Sequence, residues 1–78
     1  MQSLAGEGYS IEFDDTEGCV CLRGSLRLGG LAEYAPLSQL LEDALETRPD
    51  LTLDLTRLEF LNSSGIATLS RFVINARN

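Results

Sequence analysis

The sequence predicts a two-layer α/β fold in the order β-β-α-β-α. Three patterns carry this: paired N-terminal runs of alternating apolar residues, an amphipathic helical stretch, and a third alternating run that leads directly into a second helical stretch. Tyr9, Ile11 and Phe13 alternate with Ser10, Glu12 and Asp14, which predicts a half-buried strand ending in the turn DDTEG. From Cys19 a second strand puts Val20, Leu22, Leu26 and Leu28 on one face and Arg23, Ser25 and Arg27 on the other, with Gly24 as a bulge candidate. These two strands form a hairpin. After Gly29-Gly30, Leu37, Leu40, Leu41, Ala44 and Leu45 recur at helical spacing with Glu42, Asp43 and Glu46 outside. Pro36 falls in or near the first turn, and TRPD closes the helix.

In LTLDL, Leu51, Leu53 and Leu55 share one face, and Thr52 and Asp54 the other. The following TRLEFLN reads as a loop. A strand with a polar face predicts a sheet covered by helices mainly on one side, and the β-α-β connection makes the second and third strands parallel. The final helix takes Ile66, Leu69, Phe72, Val73 and Ala76 as its inner stripe, with Ser70, Arg71 and Arg77 toward solvent. Residues 1–8 read as a flexible lead and 9–78 as the domain.

Composition narrows the function. With 12 acidic and 6 basic residues and a net charge of −6, the chain repels phosphate backbones and anionic lipid, so neither nucleic acid nor a membrane is expected as a partner. No apolar run is long enough to span a bilayer and no leader pattern is present, so a cytoplasmic location is expected. All six cations are Arg and there is no His or Lys. That leaves no imidazole base, Schiff-base lysine or P-loop lysine, so no catalytic residue and no cofactor is expected. No metal site is expected either, since a structural zinc site takes four Cys or His ligands and Cys19 and Cys21 stand alone. Those two thiols are expected to pack in a reduced core, with a redox role as the alternative. A hydrolase using Asp54 and Glu59 lacks any sign of two carboxylates around a pocket.

The stretch FLNSSGI places four turn and cap residues, Asn62, Ser63, Ser64 and Gly65, at the mouth of the second helix. Such a helix start can hold an anion on its unpaired N–H groups and positive dipole end. It can equally be a plain cap, with Asn62 or Ser63 accepting a first-turn N–H.

The run LTLDLTRLEFLNSSGI resembles the signature of the STAS domain, the fold of bacterial anti-sigma factor antagonists. Asp54, Phe60, Ser63, Ser64, Gly65 and Ile66 occupy the matching places, and Gly24 and Leu26 of LRGSL match the Gly-x-Leu ending the family's second strand. The likeness runs from about Tyr9 to Arg77. It implies a STAS-like two-layer β-α superhelix and a non-catalytic signalling module that acts by protein binding. Ser63 would be phosphorylated by a serine kinase or anti-sigma factor of the histidine-kinase-like ATPase fold, with Ser64 the second choice. A metal-dependent serine phosphatase would reset it. Asp54, Asn62, Ser64 and Gly65 would surround the acceptor. A constitutive scaffold that is never phosphorylated is the alternative.

The chain departs from the family pattern in three ways. Asn62 replaces the usual Asp, Arg27 stands where an acidic residue is common, and the final β-α units of a complete STAS domain do not follow. The last departure leads to the expectation of a truncated domain with an exposed sheet edge and an apolar patch near the second helix, forming a homodimer or higher oligomer.

Overall fold

In the computed structural model, which describes residues 2–77, the hairpin forms as expected. β2 (Tyr9–Asp14) and β3 (Cys19–Leu26) are antiparallel, with Ile11 opposite Leu22 and Phe13 opposite Val20. Asp14 holds the turn: its Oδ1 accepts the N–H groups of Thr16 (3.0 Å) and Glu17 (3.3 Å), so the side chain replaces missing backbone partners. Ahead of β2, the segment expected to be a flexible lead instead contains β1 (Gln2–Gly6), antiparallel to β2 with Leu4 opposite Ile11. QSLAG has a single large apolar residue, too few to register as alternation. The two-residue Glu7-Gly8 connection and the open side of β2 supply the pairing, with Gly8 at φ 85°.

α1 (Ala35–Thr47) has Pro36 in its first turn and buries Leu37, Leu40, Leu41 and Ala44. It carries the chain to β4 (Thr52–Leu61), which lies parallel to β3 and completes a mixed sheet in the order β1-β2-β3-β4. α2 (Ser63–Arg77) follows. The element order is therefore β-β-β-α-β-α, still a two-layer α/β arrangement. The buried cluster joins Ile11, Phe13, Val20, Leu22 and Leu26 of the sheet to Tyr34 and the inner face of α1, while α2 adds Leu69 alone among apolar residues. At about 1.5–3 kcal/mol for each large apolar side chain buried, the contact between sheet and α1 dominates the core.

Two expectations on β4 and α2 are corrected. TRLEFLN is not a loop, because β4 runs ten residues to Leu61. Its alternation is disguised by two bulges: Cys21 and Arg23 pair with Asp54 and Arg57, and Gly24 and Ser25 pair with Leu58 and Phe60, so β4 carries one extra residue at each shift. Each extra residue swaps the faces. Leu53, Leu58 and Leu61 thus pack on the core while Leu55 is 43% exposed. In α2 the inward side is Gly65, Thr68, Leu69 and Phe72, whereas Ile66 (54%), Val73 (43%) and Ala76 are exposed; the side chain of Arg77, expected toward solvent, lies outside those described. β4 lies at the sheet edge, and α2 leaves Ile66, Val73 and Ile74 outside.

Gly24 stands at the second of these shifts. It sits at φ 84°, the carbonyl of Gly8 approaches where a Cβ would stand, and the next N–H, that of Ser25, donates to Gly8 O at 2.9 Å. Gly24→Ala adds left-handed strain of about 1–2 kcal/mol to a backbone clash, so it should lower unfolding free energy by at least about 2 kcal/mol. Urea denaturation of the variant checks this, with Gly30→Ala as a comparison at an unobstructed glycine.

Candidate functional site

The junction between β4 and α2 is built around Asn62. Its main-chain N–H donates to Leu26 O (3.2 Å), and its carbonyl accepts the Ile66 N–H (2.9 Å), opening α2. Its side chain makes three further bonds: Oδ1 accepts the Tyr34 hydroxyl (2.7 Å) and the Gly65 N–H (3.0 Å), and Nδ2 donates to Leu28 O (2.9 Å). Asn62 is therefore the N-cap, resolving the choice between it and Ser63 that the residue pattern leaves open. Tyr34 is fully buried, and that desolvation pushes its phenol above the usual tyrosine range. Gly65 packs against Tyr34 with so little room that an added Cβ would stand 2.7 Å from the hydroxyl oxygen.

Ser63, the expected acceptor, is exposed at the first position of α2, and Ser64 is half-buried behind it. Ser64 contributes its carbonyl to the Thr68 hydroxyl (2.8 Å), and among the described residues neither serine hydroxyl has a hydrogen-bond partner. The cap satisfies the N–H groups of Gly65 and Ile66, while those of Ser63 and Ser64 have no partner among the described residues. No acidic side chain lies in the first turn. Around the serines, Phe60 (42%) and Ile66 (54%) are exposed, and the Arg27 guanidinium stands 4.3 Å from the Phe60 ring centroid.

The structure brings Asn62, Ser63, Ser64 and Gly65 together and leaves Asp54 out. Asp54 pairs with Cys21 near the opposite end of β4, and at about 3.3 Å per strand residue it lies roughly 20 Å from Ser63. Hydrogen bonds from the Thr56 hydroxyl (2.6 Å) and N–H (2.9 Å) hold its carboxyl below the ordinary range. The cysteines are also relocated. Both are half-exposed on the sheet face opposite the helices, because Val20 and Leu22 between and beside them take the core side. Partial burial, the neighbouring Cys21 and the carboxylates of Asp54 and Asp14 push the Cys19 thiol upward.

Residue patterns missed Tyr34 and the Leu28 carbonyl as partners of the junction. The available signal was an aromatic directly ahead of the helix-starting Ala-Pro. Elsewhere, a groove of about 750 Å³ opens between α1 and α2, lined by Glu42, Asp43, Glu46, Arg71 and Phe72 among others. No described helix is long and apolar enough to cross a membrane. Compared with protein-family models, curated proteins and solved structures, the chain shows no significant match.

Deleting a partner tests the junction. Tyr34→Phe should cost about 0.5–1.5 kcal/mol, and Asn62→Ala, which removes the cap and leaves the buried phenol only its longer bond to Leu26 O (3.2 Å), at least about 2 kcal/mol. The double variant should be less destabilised than the sum, showing a favourable coupling in a double-mutant cycle read by chemical denaturation.

Proposed function

We propose that this chain is a non-catalytic signalling module of the anti-sigma factor antagonist type, switched by phosphorylation of Ser63 and acting through protein contacts. One observation carries the reading: Asn62 performs the capping, so the Ser63 hydroxyl is exposed and has no structural task among the described residues. A phosphate there, with about −1.5 to −2 charges, meets the positive end of α2 and the two unpartnered N–H groups. Arg27 is the cation carried to this end of the sheet, one residue past Leu26. The unphosphorylated surface, with Phe60 and Ile66 exposed, is the face for an ATPase-fold kinase or anti-sigma factor. The kinase supplies ATP, metal and base, which suits an acceptor chain without His or Lys. A metal-dependent phosphatase reverses the switch.

Intact-mass analysis of protein isolated from its host should show one added phosphate mapped to Ser63 and absent from Ser63→Ala. Ser63→Asp should stay folded, since an anion at a helix N-terminus favours the fold by about 0.3–1 kcal/mol, yet bind the same partner at least tenfold more weakly. Equal incorporation in Ser63→Ala moves the acceptor to Ser64. No incorporation in either, with partner binding retained, establishes the constitutive scaffold instead.

The outward side of α2, with Ile66, Val73 and Ile74, supports self-association as part of the same reading. Sedimentation should give a dimer or larger species that Ile74→Glu converts to monomer; a wild-type monomer at high concentration contradicts it.

A further inference from the structure

The open face of the sheet carries a cluster that the junction does not use. Cys19 and Cys21 point the same way from β3, and the parallel register sets Asp54 of β4 beside Cys21. The two Sγ atoms are 3.8 Å apart, the Cys21 Sγ lies 3.7 Å from Asp54 Oδ2, and one donor atom from each of the three residues falls within 4.8 Å of the others. We propose that Cys19, Cys21 and Asp54 form a binding site for a thiophilic divalent cation of the zinc class.

Geometry is the first support. Metal–sulfur bonds of about 2.3 Å and metal–oxygen bonds of about 2.0–2.2 Å at the tetrahedral angle require edges of about 3.8 Å between sulfurs and about 3.5–3.7 Å between sulfur and oxygen. Two of the three edges, at 3.8 and 3.7 Å, already match these lengths, and the third lies within 4.8 Å. A disulfide suits the pair less well, because residues two apart on a strand have Cα atoms about 6.6 Å apart, at the far end of the bridgeable range, and parallel side chains keep the Cβ atoms well beyond the about 3.5–4.5 Å that a disulfide spans.

The surroundings are the second support. Thr56 holds Asp54 by Oδ1 through both its hydroxyl and its N–H, leaving Oδ2 as the atom facing Cys21. Orientation of a ligand carboxylate from behind is the usual outer-shell arrangement of metal sites. Across the hairpin, Glu12 stands opposite Cys21 and Asp14 opposite Cys19, so the thiols are flanked by carboxylates, with Arg23 paired to Glu12 at 3.8 Å. That balance favours a cation over an anion. Binding releases one proton from each thiol to solvent as its metal–sulfur bond forms, with no change of oxidation state. The described residues supply three donors, so water or an outside ligand takes the fourth corner. The bound ion would join central β3 to edge strand β4 just before its first register shift.

The test uses the full chain without an affinity tag, reduced with a phosphine and shown by intact mass to carry two free thiols. Since Cys19 and Cys21 are the two cysteines of the sequence, a cobalt(II) thiolate charge-transfer band reports them alone. Cobalt should bind one to one and be displaced by zinc. Saturating zinc should raise the unfolding midpoint by about 4 °C or more and protect both thiols from alkylation. Cys19→Ser and Cys21→Ser should each weaken binding at least about 100-fold, and Asp54→Asn about tenfold or more. Should a serine variant fail to fold, Asp54→Asn and alkylation protection in the wild-type chain decide the matter. Absence of the thiolate band with both thiols verified reduced overturns the proposal, as does unchanged affinity in Asp54→Asn together with unprotected thiols.

Discussion

The hydrogen bond between the Tyr34 hydroxyl and the Asn62 side chain is the constraint around which the rest of this molecule is arranged. A phenol with no exposed surface must find a partner or cost a few kcal/mol, about 1–3 by mutational measures. Asn62 supplies the nearer acceptor, beside Leu26 O at 3.2 Å, and its side-chain and main-chain groups also bind Leu26, Leu28, Gly65 and Ile66. Four chain segments, the end of β3, the approach to α1, the end of β4 and the start of α2, are thereby fixed to one another. An amide suits this position better than a carboxylate, because only the amide can donate to Leu28 O while accepting from Tyr34 and Gly65. The Asn that departs from the resembled signature is thus the residue whose chemistry the observed junction uses in full.

Local pattern carried the hairpin, α1 and the parallel placement of β4, since Ile11, Phe13, Val20, Leu22 and the Leu37 to Ala44 stripe all keep one periodicity from end to end. It failed where a tertiary contact changed the phase. β4 reads as strand then loop because two added residues move its core face from Leu53 to Leu58 and then to Leu61. α2 offers two apolar stripes, and the choice between them belongs to Gly65, whose lack of a side chain lets the helix approach Tyr34 and turns Thr68, Leu69 and Phe72 inward. β1 is held by pairing to β2 and by Leu4, a signal that one apolar residue cannot give alone. In the candidate site, the group from Asn62 to Gly65 was legible as a cap-rich helix start. Its partners lie 28 and 34 residues away and were not, and Asp54 was misplaced because a motif reads as contiguous while a strand extends.

The two sheet faces divide the chemistry. The covered face is apolar and holds the helices in place, including the one that presents Ser63. The other face bears the thiols, their flanking carboxylates and Arg23, all reachable because alternation along β3 sends every second side chain away from the core. A change at one end of β4 has no shared side-chain partner with a change at the other, so the two ends can be altered independently.

The double bulge of β4 also bears on how the molecule behaves when concentrated. A straight edge strand offers an evenly spaced ladder of N–H and C=O groups on which a foreign strand can align. β4 breaks that ladder twice within ten residues, and its outer run bears Arg57 and Glu59 on a chain of net charge −6. A strand docking there would lose register within a few residues, and a second copy would bring its own net charge of −6 toward this one, so the irregularity that hid β4 from pattern reading also works against fibrillar growth.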